Sequence, residues 1–197
     1  MPSKPIQTIT IFSGSADQLA QKYMQGAWEL GALLAERGLT LVFGGGKTGL
    51  MGAVADGALT RSGQVVGVIN ESLNTPNLAH AGLSRMEILP DLHTRKARMS
   101  ALADAYIALP GGYGTFDELF EALTWAQIGL HTKPIGLLNI EGYFNPLLAL
   151  VDHAIAEYFI YPEHRQLIIC EEAPHALLEK MQAYQPPENL SRWVERP

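Results

Sequence analysis

Cysteine is nearly absent from this chain. Its 197 residues include one, Cys170. A single cysteine excludes an internal disulfide and a cysteine-based zinc site. It ends the apolar run Leu167-Ile168-Ile169-Cys170, which predicts a small core residue in a strand and not a reactive thiol. Long apolar runs are missing too. None approaches the ~20 residues that a membrane helix needs. The start, MPSKPIQTITIF, has no cationic opening followed by an apolar stretch and a cleavage site, so no signal peptide is expected. These absences predict a cytoplasmic protein with no membrane partner. Positive charge is also scarce. Lys and Arg number 14 against 20 Asp and Glu, for a net charge of −6. That excludes broad nucleic-acid binding, which needs a basic face. It does not exclude a small phosphate, which backbone N–H groups and one or two arginines can hold whatever the global charge.

What is present describes a globular α/β chain. Hydrophobic residues make up 47% and charged residues 17%, well away from disorder. The length suits one domain spanning 1–197 with a sizeable core. No repeat or interdomain linker breaks it. The tail from Gln185 (QPPENLSRWVERP) is polar with prolines and is expected on the surface. Short apolar runs predict strands over 6–12, 39–43, 64–69, 86–89, 105–109, 135–139 and 167–170. Longer periodic segments predict helices over 17–37, 50–61, 93–104, 115–129, 144–159 and 175–183. The strands are apolar at nearly every position, as when helices cover both faces of a sheet. Alternating strands and helices imply a parallel sheet with right-handed crossovers. The expectation is a Rossmann-like, doubly wound sheet of about six or seven strands in three α/β/α layers. Ligands of such sheets bind beyond the carboxyl ends of the strands, and two of those loops here are glycine-rich.

The first, Gly44-Gly45-Gly46-Lys47-Thr48-Gly49, fits G-x-G-x-x-G between a strand and a helix. Its glycines permit a tight turn and a close approach of backbone N–H groups to phosphate. They also fit close helix–strand packing alone. Gly-Lys-Thr suggests a P-loop, but the position that needs the first glycine is Leu41, inside a strand. A nicotinamide dinucleotide fingerprint belongs after the first strand, whereas this loop follows the second.

The second, Pro110-Gly111-Gly112-Tyr113-Gly114-Thr115-Phe116-Asp117-Glu118, is the most informative stretch. Three glycines in four positions expose a run of N–H groups. Thr115 can cap the following helix, whose N-terminus welcomes an anion. Thr115-x-x-Glu118 also fits a capping box, with the glutamate reaching back to the cap. The functional reading points Glu118 into the crevice instead. There its first-turn position favours the ionised form, as glycosidic cleavage needs. Glu121 shares that helical face and either assists binding or is solvated. Trp125 continues it as a packing or interface residue.

The helix before it opens Leu92-His93-Thr94-Arg95-Lys96-Ala97-Arg98-Met99. Cations near a helix N-terminus sit against the dipole, and a residue placed against local preference marks a candidate site. Arg95 and Arg98 share a face. The bland alternative is an ordinary solvated basic helix. A guanidinium there suits bidentate contact with a phosphate, a carboxylate or a leaving base.

Together these segments resemble the LOG (Lonely Guy) family of cytokinin-activating phosphoribohydrolases. The family's P-G-G-x-G-T-x-x-E signature is complete in residues 110–118. Its M-x-x-R-K-x-x-M signature is present in residues 92–99, with Leu92 for the leading methionine. The resemblance extends to Ser13-Gly14-Ser15, to the first glycine loop with Gly49-Leu50-Met51-Gly52, to Thr124-Trp125 and to His131-x-Lys133-Pro134. It implies that Arg95 and Glu118 are the catalytic pair. It implies that Gly111, Gly112, Gly114 and Thr115 bind phosphate and that Lys96 contacts the ligand. Tyr113, Glu121, Gly45 and Ser15 complete the expected substrate contacts. It further implies a homodimer that needs neither a metal nor an organic cofactor. Plant members carry an acid in the loop before the basic helix, whereas here Asn74-Thr75-Pro76-Asn77-Leu78-Ala79-His80 has none. Many relatives are labelled lysine decarboxylase. That chemistry needs pyridoxal phosphate on a lysine, and the phosphate loop with Glu118 explains more.

The expected activity is hydrolysis of the N-glycosidic bond of a cytokinin riboside 5′-monophosphate, of AMP, or of both. The products are the free base and ribose 5-phosphate. The alternative is a non-catalytic carrier of a nucleotide or of the molybdenum cofactor on the same fold. An NAD-dependent enzyme is a third reading, disfavoured by the position of the fingerprint.

Overall fold

A computed structural model describes residues 5–188 and Leu190. Strands β1 (Thr8–Phe12), β2 (Thr40–Phe43), β3 (Val65–Asn70), β4 (Arg85–Leu89), β5 (Ala105–Ala108), β6 (Ile135–Leu138) and β7 (Ile168–Glu171) form one sheet. Its order is β4-β3-β2-β1-β5-β6-β7, and every pairing is parallel. The helices are α1 (Gln21–Glu36), α2 (Gly49–Leu59), α3 (Leu92–Leu102), α4 (Tyr113–Gln127), α5 (Asn145–Ala156) and α6 (Pro174–Gln182). None of the described helices is long and apolar enough to cross a membrane.

The two faces of the sheet carry separate cores. Ile9, Ile11, Leu41 and Phe43 point to one face, against Leu30 and Leu34 of α1, Val54 of α2 and Leu177 of α6. Val42, Tyr106, Ala108 and Leu137 point to the other, against Met99 of α3, Leu119 of α4 and Val151 of α5. Every residue of β3, β5 and β6 is buried, which is why these strands read as unbroken apolar runs. The edge strand β4 breaks the pattern. Arg85 and Ile88 are exposed there, and Glu87 is held from α3 by Arg98 at 2.7 and 3.0 Å. A charged, covered edge resists pairing with another sheet.

Two features place the site. Chain order reverses across β1, whose neighbours are β2 and β5. The carboxyl ends of β1 and β5 therefore open the switch-point crevice. The connection from β4 runs through α3 before the chain enters β5, on the far side of β1. That carries α3 past the mouth of the crevice.

Three boundaries differ from expectation. Helix α1 begins at Gln21, four residues after its predicted start at 17, and residues 17–20 stay in the loop. Helix α5 ends at Ala156, before Tyr158, whose φ of 64° is left-handed. The polar tail falls largely outside the described residues. Of its described part, Pro187 and Leu190 are buried and not on the surface. Leu190 joins the core beneath α4 and α5, because one apolar side chain gains by leaving water whatever its neighbours are. Cys170 is half-buried, and burial raises its thiol pKa, so the thiol is held in its unreactive form.

Candidate active site

The crevice has a volume of about 710 Å3, and much of its wall comes from four segments. The loop after β1 supplies Ser13, Gly14, Ser15 and Asp17. The loop after β2 supplies Gly44, Gly46 and Thr48. Residues 110–115 and Glu118 come from the loop after β5 and from α4. Arg95 and Leu92 come from α3. The β1 loop is tied on both sides. The Gly14 N–H donates to the Pro110 carbonyl at 3.0 Å, and the Gly14 carbonyl accepts from the N–H of Leu50 at 2.9 Å. Thr48 Oγ1 donates to the Ser15 carbonyl at 2.7 Å.

Helix α4 starts earlier than the sequence suggests. Its N-cap is Gly112, and no side chain caps it. Thr115 lies inside the first turn and is buried, so it is not the cap. The capping box is not formed. The geometry depends on Gly111, since a side chain there would collide with Thr115 in the first turn. The consequence favours ligand binding. The first N–H groups of a helix lack intrahelical partners, and here no capping side chain competes for them. Gly111 allows a close approach. A Cβ there would lie 2.0 Å from Thr115 Oγ1 and 2.9 Å from the backbone nitrogen of Gly14. Gly112 and Gly114 face open space. Tyr113 points outward, 95% exposed, although its backbone belongs to the crevice wall.

Glu118 meets Arg95 across the crevice floor. Arg95 Nη1 donates to Glu118 Oε1 at 2.9 Å, and Arg95 Nε donates to the Val68 carbonyl at 2.9 Å. Both side chains are only 12% exposed. The charge that the dipole of α3 disfavours is thus matched by a carboxylate and a strand-end carbonyl. Helix position favours an ionised Glu118, and its surroundings act on that tendency in both directions. Burial pushes its pKa up, and the nearby Arg95 charge and hydrogen bond oppose the rise. Desolvation of a carboxylate outweighs a helix terminus when water is excluded.

The pair has a third support in the β2 loop. A Cβ on Gly44 would lie 2.4 Å from Arg95 Nη2. Gly44→Ala is therefore expected to fold, since the clash falls on the end of a long side chain, and to push the guanidinium off Glu118. Steady-state kinetics should give at least a tenfold loss of kcat/KM, on the scale of one lost charge-assisted hydrogen bond, about 1.5–3 kcal/mol. Wild-type kinetics in this variant would mean that Arg95 is not held by Gly44. Gly45, the expected contact, does not line the crevice. With φ 76° it turns toward Ile69 and Met86, and Gly44 and Gly46 flank the cavity instead. The Gly45 carbonyl and the Lys47 N–H bind residues 78–80, and Lys47 Nζ donates to the Pro76 carbonyl at 2.6 Å. Lys47 thus buckles one loop to another.

Lys96 and Glu121 stand apart from the crevice. Lys96 Nζ donates to Glu121 Oε2 at 2.9 Å and to Asp117 Oδ2 at 3.0 Å. Their own small cavity lies behind Glu118, beside Tyr106 and Trp125. Arg98 belongs to Glu87 and not to the site. Sequence reasoning passed over Gly44 within its triplet. It also passed over Tyr143, which lines the crevice; the only hint was a glycine before an aromatic at a helix start. Ser13, which also belongs to the resemblance, lies in the wall, and its buried hydroxyl finds no hydrogen-bond partner among the described residues.

Comparison with known proteins settles the family. A family described as "Possible lysine decarboxylase" matches residues 51–181. A rice (Oryza sativa subsp. japonica) protein named probable cytokinin riboside 5′-monophosphate phosphoribohydrolase LOGL1 is 46% identical over 176 residues. That alignment covers 89% of this chain and 79% of the rice protein. The Arabidopsis thaliana cytokinin riboside 5′-monophosphate phosphoribohydrolase LOG3 is 40% identical over 186 residues, 94% of this chain and 86% of that protein. This chain belongs to the LOG family. Among solved structures, a molybdenum cofactor binding protein from Rippkaea orientalis superposes with a TM-score of 0.68 at 24% identity, over 89% of this chain and 95% of that one. At that identity the likeness to this LOG-family chain is one of fold. Pyridoxal phosphate, which a lysine decarboxylase would use, does not fit the site. Among the described residues no lysine lines the crevice, so none of them offers an amine to carry it.

Proposed function

We propose that the chain hydrolyses the N-glycosidic bond of cytokinin riboside 5′-monophosphates, of AMP, or of both. The products are the free base and ribose 5-phosphate. The observation that carries this reading is the buried Arg95–Glu118 pair at 2.9 Å beside an uncapped helix N-terminus. The 5′-phosphate rests on the turn 111–115, where N–H groups and the helix dipole face an anion. Along α4, Glu118 follows Thr115 by three residues, about 4.5 Å of rise, roughly the span of a ribose. A carboxylate at that depth stabilises positive charge growing at the anomeric carbon and directs water to it. The water oxygen bonds to that carbon, and the carbon–nitrogen bond breaks with its electron pair leaving on the base. The base gains one proton and the water loses one. Arg95 orients Glu118 and the substrate; a guanidinium is a poor proton donor at neutral pH. Ser13 and Ser15 line the wall that a sugar would meet.

The working form is a homodimer in the cytoplasm. Supporting this are the exposed Leu92 and Phe120, which leave apolar surface beside the site on α3 and α4, and the lone cysteine, which suits a reducing compartment. Light scattering should give twice the chain mass of 21.5 kDa.

The deciding assay incubates the purified protein with AMP, with isopentenyladenosine 5′-monophosphate and with the two parent nucleosides. Chromatography then looks for free base. Base release from the monophosphates but not from the nucleosides is the expected result. Saturable binding of AMP without base release from any of them would overturn the enzyme reading in favour of a carrier.

A further inference from the structure

We propose that Tyr143 is a positioning residue for the phosphate turn, acting through the carbonyl of Gly111. The inference rests on the function proposed above. Tyr143 Oη donates to the Gly111 carbonyl at 2.5 Å, from a loop 32 residues further along the chain. Its ring has little freedom. Tyr23 meets it edge-on at 6.0 Å and Phe144 at 5.1 Å. The backbone that delivers it is also fixed. Glu141 and Gly142 are both left-handed, with φ 53° and 72°. Buried Asn139 closes this turn: its Oδ1 accepts from the Phe144 N–H at 2.7 Å, and its Nδ2 donates to Asn145 Oδ1 at 2.9 Å.

The target is the peptide between Gly111 and Gly112. Neither residue has a Cβ, so this peptide plane can flip at low cost. The neighbouring carbonyls are already engaged: Pro110 accepts from Gly14, and Gly112 accepts from Phe116. Without Tyr143 the Gly111 carbonyl has no such anchor. Turned toward a bound phosphate it would oppose the anion's charge, and the Gly112 N–H would turn with it. Holding that carbonyl on a phenol fixes the turn in one orientation before ligand arrives. Preorganisation of this kind appears as affinity for the phosphate and leaves the bond-breaking step alone.

Tyr143→Phe keeps both ring contacts and removes one hydroxyl. Losing one net hydrogen bond's worth of bias predicts a roughly tenfold rise in KM for the monophosphate. The Kd for ribose 5-phosphate, read by calorimetry, should rise in parallel, with kcat and Tm near wild type. Unchanged Kd and KM in the folded variant would overturn the inference. So would a loss confined to kcat, which places the hydroxyl in the chemistry, or a lowered Tm with unchanged Kd, which makes it merely structural. A wild-type protein with no affinity for ribose 5-phosphate would sink the functional reading beneath it, a failure that the wild-type titration exposes by itself.

Discussion

A Glu118→Gln enzyme is expected to fold normally and to lose about 100- to 10,000-fold in kcat, the range that a positioned acid–base side chain contributes. Glutamine has the same shape, and its carbonyl oxygen can still accept from Arg95 Nη1, which stands 2.9 Å from Glu118 Oε1. Only the charge and the ability to take a proton are gone. The turn 111–115 is untouched, so KM should change little. The pH profile sharpens the test. Burial raises the Glu118 pKa and Arg95 opposes the rise. An ionised Glu118 makes wild-type activity climb with pH through a limb displaced upward from the ordinary glutamate range. Glutamine abolishes that limb. A folded variant with undiminished turnover would remove Glu118 from the mechanism.

Arg95→Met should damage stability as well as catalysis. Removing one member of a buried pair strands the other, at a cost of about 3–5 kcal/mol. Here the stranded group can escape by taking up a proton, which makes the cost depend on pH. In the variant, Glu118 loses the two Arg95 contributions that lower its pKa, so its folded pKa stands further above the unfolded one. A group shifted that way stabilises the fold fully below its unfolded pKa and loses the contribution as pH rises through its folded pKa. The Tm deficit against wild type should therefore be small in acid, grow once pH passes the raised pKa of Glu118 in the wild type, and level off once Glu118 is ionised in the variant too. The acid limb of any remaining activity moves to higher pH. Thermal melts across that range check the first claim and kcat against pH the second. A deficit that shrinks as pH rises would contradict the assigned pair.

The sequence makes the scaffold plain and the site partly so. All seven strands lie where the apolar runs place them, most sharply β3, β5 and β6, whose residues are all buried. The glycine turn before α4 is equally legible, since its glycines are local. What stays hidden depends on distant residues. Whether Glu118 caps its own helix or turns to Arg95 is decided by α3, 23 residues earlier in the chain. Its raised pKa comes from burial, which no first-turn rule contains. Lys96 and Glu121 each look like ligand contacts alone, yet they satisfy one another. In the triplet Gly44-Gly45-Gly46 the sequence cannot say which glycine meets the guanidinium. Only the register of β2 beneath α3 selects Gly44.

The clamp on the β1 loop has a consequence for hydrogen exchange. The Gly14 amide is bonded to Pro110, from a distant part of the chain, and its carbonyl to Leu50. Its partners come from the loop after β5 and from the first turn of α2, so no local fraying frees it. Opening it requires the centre of the sheet to part. The Gly14 amide should then exchange as slowly as the core strands, an uncommon behaviour for a glycine in a surface loop. Ligand should slow it little further, whereas the uncapped amides at the start of α4 should become protected only when an anion is bound.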